Sequence, residues 1–210
     1  MRVAEPDAPD APAAPGAAAS ADAEVIERSW HEPEQFAVLF DRHAPLIHRY
    51  VARRVGGEAA DDLVAETFLA AFGKRRRYDT SYSDARPWLY GIATNLIGQH
   101  RRDEFRQYRI RQAALPDLDA PGHAERVTTS VTAHGMRGQL MAVLAGLPDG
   151  ERDVLILIAW EQLSYDETAR ALGIPLGTVR SRLNRARARL RGTLAAAGYS
   201  ETIKEILNDG

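Results

Sequence analysis

Residues 163–191, LSYDETARALGIPLGTVRSRLNRARARLR, are punctuated by Gly173 and Pro175, and that punctuation confines the stretch to two short helices joined by a tight turn. Ser164 and Glu167 form a capping-box pair, in which each side chain can satisfy a backbone N–H that the first helical turn leaves unpaired. The first helix ends at Leu172. Gly173 supplies the left-handed C-terminal residue, and Pro175, lacking an N–H, suits the first turn of the second helix. On that second helix Leu176, Val179, Leu183, Ala186 and Leu190 recur at three- and four-residue steps as one apolar stripe. At about 100° per residue, the opposite face carries Gly177, Thr178, Ser181, Arg185 and Ala188. Arg180, Arg182, Arg187, Arg189 and Arg191 flank this crest of narrow side chains, and no acid interrupts the run. A merely solvated helix would mix both signs of charge. This one has the shape a major groove admits and the charge its phosphate walls attract, as in a helix-turn-helix.

That charge is local, because the 210-residue chain carries a formal net charge of -2. A protein that binds nucleic acid by itself is usually basic overall, so a partner is expected to supply much of the binding. With 45% apolar residues the chain can fill two small helical cores. It has no cysteine, which excludes disulfides, zinc fingers, iron–sulfur clusters and thiol nucleophiles, and which suits a reducing cytoplasm. No apolar run approaches the roughly 20 residues needed to cross a bilayer. No cofactor is implied.

Residues 1–33 open with an Ala-, Pro- and Asp-rich run that has little to bury, and they read as a disordered extension. From residue 34 to 111 the pattern is helical. Phe36, Leu39, Phe40, Ile47, Tyr50 and Val51 space a first helix interrupted by Pro45 and closed by Gly56 and Gly57. In AADDLVAETFLAAFGK, Leu63, Val64, Thr67, Phe68, Ala71 and Phe72 face inward. Asp61 and Asp62 there suit the dipole of the first turn, whereas Glu66 lies deeper and calls for a basic partner surface. The basic run 74–77 leads through Tyr78 and an irregular stretch to a long helix with Pro87 in its first turn. Trp88, Leu89, Ile92, Ala93, Leu96 and Ile97 are its buried face. Asn95, Gln99 and Arg102 share another, and Arg101, Arg102, Arg106, Arg109 and Arg111 carry a basic stripe past its end. Aromatic rings beside arginines suit single-stranded bases and their phosphates. Residues 112–135, with Pro116, Pro121 and Gly122, read as a linker. Helical spacing resumes over 136–192 with Met136, Leu140, Val143, Leu144 and Leu147, and the tail 193–210 carries no assigned role.

The order of these parts resembles an RNA polymerase sigma factor of the sigma-70 family, of the extracytoplasmic-function class. DDLVAETFLAAF and RPWLYGIATNLIGQHRR look like sigma region two. LPDGERDVLILIAWEQLSYDETARALGIPLGTVRSRLNRARARL looks like region four. The resemblance covers residues 34–191 and implies an all-α chain: region two at 34–111, a flexible linker, and region four with its helix-turn-helix at 136–192. It also implies a non-enzymatic subunit that carries core RNA polymerase to promoters and helps to melt the minus-ten element. Asp61, Asp62, Leu63, Glu66, Thr67 and Phe68 would meet the clamp helices of a large polymerase subunit, and region four would meet the flap of another. Tyr78, with Trp88, Asn95, Gln99, Arg101 and Arg102, would take the minus-ten element. Thr178, Arg180, Ser181, Asn184 and Arg185 would read the minus-thirty-five element, with Arg182 and Arg187 on phosphates. The resemblance further implies an anti-sigma factor, through which a cytoplasmic chain could be held at the membrane.

Two other readings compete. A helix-turn-helix regulator acting alone on an operator would leave the basic aromatic helix idle. A metal-dependent nuclease built on Asp61, Asp62 and Glu66 lacks a companion cluster, and the histidines show no zinc-type pairing.

Overall fold

The computed structural model of the chain describes residues 21–114 and 142–196, all of them helix, turn or loop. The extension up to residue 20, most of the expected linker, Met136, Leu140 and the tail from residue 197 lie outside the described residues.

Four helices form the first unit: α1 (Asp22–Arg28), α2 (Phe36–Val55), α3 (Ala60–Lys74) and α4 (Arg86–Ala114). One-turn 3-10 helices at Pro33–Gln35 and Arg75–Arg77 connect them. Their core gathers Leu39, Ile47, Tyr50, Val51, Leu63, Phe68, Leu89, Ala93 and Ile97. α2 continues through Pro45 and stops at Gly56, whose φ of 88° is comfortable only for glycine. α4 starts where the Asp84 carboxylate accepts the Arg86 backbone N–H at 2.8 Å. Its apolar face runs out near residue 100, and residues 104–112 are exposed.

The expected boundary of the extension at residue 33 is too late. Residues 22–28 are helical, and Val25 and Ile26 are fully buried in the core. Asp22 pins this helix: its carboxylate accepts from Arg42, from His43 Nε2 at 2.7 Å and from the Ala85 amide at 3.0 Å. Trp30 Nε1 donates to the Arg75 carbonyl. The alanine- and proline-rich start masked a short motif, VIERSW, whose apolar pair is enough to dock one helix.

The second unit comprises helical residues 142–145, then α5 (Asp149–Ala159), α6 (Tyr165–Leu172) and α7 (Leu176–Ala196). Val179, Leu183, Ala186 and Leu190 of α7 pack on Leu144, Leu147, Val154 and Leu155. The two units also pack on each other. Ile156, Leu157, Leu163 and Ala171 of the second belong to the core of the first.

Candidate nucleic-acid interface

α6 and α7 join as their residues require. Ser164 Oγ accepts the Glu167 N–H at 3.2 Å, and Glu167 Oε2 accepts the Ser164 N–H at 2.7 Å, closing the capping box. Gly173 sits at φ 62° in the left-handed region, and the Thr178 N–H returns to the Pro175 carbonyl at 2.8 Å to begin α7. With its stripe buried, α7 turns Arg180, Ser181, Asn184 and Arg185 to solvent, and Thr178 is half-buried. Arg185 Nε donates to Glu151 Oε1 at 3.0 Å, and Arg189 Nε faces Glu151 Oε2 at 3.1 Å. Glu151 is buried, so it fixes the start of the Arg185 guanidinium while more than half of that side chain stays in solvent.

Arg182 and Arg187 are less available. Both are half-buried, and the Arg182 guanidinium lies against Gly150 so closely that a Cβ there would meet Nη1 at 2.8 Å. Arg187 Nε is buried and has no hydrogen-bond partner among the described residues. The seven-residue groove face therefore narrows to Thr178, Arg180, Ser181, Asn184 and Arg185.

At the other basic face Asn95, Gln99 and Arg102 are exposed along one side of α4, at spacings of four and three. Arg101 is drawn aside: it donates to the Arg54 carbonyl at 2.6 Å and pairs with Asp149 at 3.5 Å. Tyr78, which the resemblance assigns to the minus-ten element, is a buried ring. It is 8% exposed, and its hydroxyl donates to the Tyr82 and Asp84 carbonyls at 2.7 and 3.1 Å. Burial, with the nearby charges of Asp22 and Asp84, holds that phenol well above its ordinary value. Tyr78 is the strut of the loop, because its hydroxyl satisfies two carbonyls of the turn-and-bend stretch 79–85 from within. Half-buried Trp88 lies 5.0 Å from the Tyr78 ring. Together with Arg77, Asp79, Tyr82, Asp84, Pro87 and Arg170 they line a cleft of about 220 Å³.

On α3 the expected set divides. Asp61, Asp62 and Glu66 are exposed, whereas Leu63, Thr67 and Phe68 are core residues at 5%, 0% and 5% exposure. Thr67 Oγ1 donates to the Leu63 carbonyl one turn back. Three-and-four spacing places this trio on the inward face, so it shapes the helix rather than meeting a partner. The exposed apolar residue on the side of the acids is Leu69, 72% exposed, which the sequence reading did not single out. Among the described residues, no group of three or more His, Asp or Glu side chains is placed to hold a metal ion.

Residues 39–107 match the model of sigma-70 region 2, and residues 137–190 match that of sigma-70 region 4. The chain is 36% identical over 170 residues to ECF RNA polymerase sigma factor SigE of Mycolicibacterium smegmatis, covering 80% of this chain and 62% of that protein. It is 35% identical over 164 residues to ECF RNA polymerase sigma factor SigL of Mycobacterium tuberculosis, covering 77% and 90%. The structure of CnrH in complex with the cytosolic domain of CnrY aligns with a TM-score of 0.58 at 27% identity, covering 83% of this chain and 97% of that one. The capped helix-turn-helix, the cleft beside Trp88 and these two regions in this order show that the chain belongs to the sigma-70 family, as a sigma factor of the extracytoplasmic-function class.

Proposed function

We propose that the chain binds core RNA polymerase, directs it to a set of promoters and helps to open the minus-ten element, performing no chemistry of its own. The observation that carries this is the pairing, in one chain, of an exposed groove-reading face on α7 with a single-strand-type face on α4. Arg180, Ser181, Asn184 and Arg185 read the minus-thirty-five element in the major groove, where a bidentate arginine distinguishes guanine. Trp88 with the cleft, Asn95, Gln99 and Arg102 takes the melted strand by stacking and phosphate contact. Asp61, Asp62 and Glu66 meet the clamp helices of polymerase, with Leu63, Thr67 and Phe68 supporting them from behind. Region four, residues 136–192, meets the flap. An anti-sigma factor restrains the chain in the cytoplasm or at the membrane face; CnrH, a similar protein, has been seen bound to CnrY.

The test is binding of the purified chain to core polymerase, followed by run-off transcription from a genomic fragment library. Tight binding and discrete new start sites are the expected result. Operator binding by the chain alone, with no affinity for polymerase, would instead identify an autonomous regulator. Asp62→Arg should weaken the polymerase complex while region four stays folded, and unchanged affinity would remove α3 from that contact.

A further inference from the structure

Ahead of α1, residues 5–16 read EPDAPDAPAAPG, with prolines at 6, 9, 12 and 15. A strict three-residue spacing of proline matches polyproline II, which has three residues per turn, rises about 3.1 Å per residue and needs no internal hydrogen bond. On such a helix Pro6, Pro9, Pro12 and Pro15 share one edge. Asp7 and Asp10 share a second edge, about 9 Å apart, and Ala8, Ala11 and Ala14 share the third. A segment that is merely solvated has no need of that period, whereas recognition of polyproline II by an aromatic-lined cleft depends on it.

The chain enters the fold beside such a cleft. The Asp22 N–H donates to the Ser83 carbonyl at 3.0 Å, and Asp22 Oδ2 accepts the Ala85 N–H at 3.0 Å. Residue 21 therefore abuts the loop whose Tyr82 and Asp84 wall the Trp88 cleft. Tyr82 and Trp88 present partly exposed rings there, next to Pro87. The acids of the cleft are already engaged: Asp84 Oδ2 accepts from Arg86 Nε at 2.8 Å, and Asp79 Oδ1 accepts the Ser81 N–H at 3.1 Å. Its cations are Arg77 and Arg170, the latter with its guanidinium carbon 3.8 Å from the centre of the Tyr82 ring. α6 brings Arg170 there by packing on α4 so closely that a Cβ on Gly91 would collide with the Ala171 carbonyl. Rings for proline, and cations for Asp7 and Asp10, thus line one place. The six residues from Gly16 to Ala21 span up to about 20 Å, at about 3.3 Å each, and Gly16 lets the chain turn back. We infer that residues 6–15 are an internal ligand of this cleft: in the free chain the proline edge lies on Tyr82 and Trp88, and Asp7 and Asp10 face Arg77 and Arg170. The seat is the one proposed above for the melted strand, so the consequence rests on the sigma reading: the extension and single-stranded DNA compete for it.

The absence of native cysteine allows a site-specific test on the full chain. Ala11→Cys, on the edge that carries neither proline nor acid, takes a nitroxide, and the indole N–H signal of Trp88 is followed by NMR. Strong broadening is expected, relieved when Pro6, Pro9, Pro12 and Pro15 are all changed to alanine. That alanine variant keeps both acids, and its affinity for a random-sequence single-stranded DNA should rise about tenfold if about nine-tenths of the parent is docked. Asp7→Asn with Asp10→Asn should give a smaller rise. A rise in the asparagine variant with none in the alanine variant would reduce the effect to charge repulsion and overturn the docking, as would an unbroadened Trp88 signal. Broadening of equal strength between separate spin-labelled and isotope-labelled copies would seat the repeat on a second chain and overturn docking within one. Failure to bind core polymerase, with the proline-dependent broadening intact, would overturn the sigma reading and leave the docking standing.

Discussion

Among the described residues, the hydroxyls of Tyr50, Tyr78 and Tyr90 sit inside the fold, and each makes it sensitive to alkali. Tyr50 shares its hydroxyl with Thr94 Oγ1 at 2.7 Å and accepts from Arg54 at 2.8 Å. Burial pushes its phenol up to about 12, against the pull of Arg54. Tyr90 and Tyr78 are raised as well, first by burial, then by Glu161 at Tyr90 and by Asp22 at Tyr78. A group whose folded value is raised stabilises fully below its unfolded value, near 10 for tyrosine, and loses that contribution as pH climbs through the folded one. Helicity should therefore fall between about pH 10 and 12 together with rising tyrosinate absorbance; tyrosines ionising near 10 with helicity intact would contradict the buried geometry. On α7, Arg185→Ala should lose about 1–3 kcal/mol of discrimination at one minus-thirty-five base pair, because Glu151 aims that side chain. Arg182→Ala, which removes a guanidinium packed on Gly150 off the groove face, should leave base preference and the salt slope unchanged. Equal effects of both changes on every sequence would refute the groove assignment, and a panel of single-base promoter variants at two salt concentrations decides it.

Among the elements, the shortest helices depend most on single polar residues. α1 has seven residues, too few to persist without docking. Asp22→Ala removes the acceptor shared by Arg42, His43 and the Ala85 amide, leaving a buried imidazole and an amide unpaired. A loss of about 3 kcal/mol in urea unfolding is expected. Burial alone would raise the Asp22 carboxyl, but His43, the Ala85 amide and Arg42 outweigh burial and hold it below its ordinary value. Its contribution is therefore present above about pH 4 and fades as pH falls through the lowered folded value, so acid should release α1 before the rest. α6, eight residues long, relies on its capping box. Ser164→Ala should cost about 1 kcal/mol, read by thermal unfolding, and Ser164→Asp should restore most of it.

At the scale of the molecule, the seam between α4 and α6 joins two units that each have apolar cores. The parent chain should unfold in urea as one cooperative transition, and Gly91→Ala should divide it into two, followed by helicity and by Trp88 and Trp160 fluorescence; two transitions in the parent would show that the seam contributes little coupling. The sequence alone determined the helix-turn-helix, because Ser164, Glu167, Gly173 and Pro175 act within a few residues of one another, where capping and φ preferences are local. It also determined the stripe of α7 and the inward face of α3, since both follow from the helical period. Periodicity set Leu63, Thr67 and Phe68 inward, and only the resemblance assigned them to polymerase; neither singled out Leu69, whose exposure the tertiary structure shows. Nor could periodicity show that Tyr78 is a strut, that VIERSW docks a helix, or that Gly91 meets Ala171. Those depend on residues between four and eighty positions apart, and only the tertiary structure brings them within reach of a hydrogen bond or a van der Waals contact.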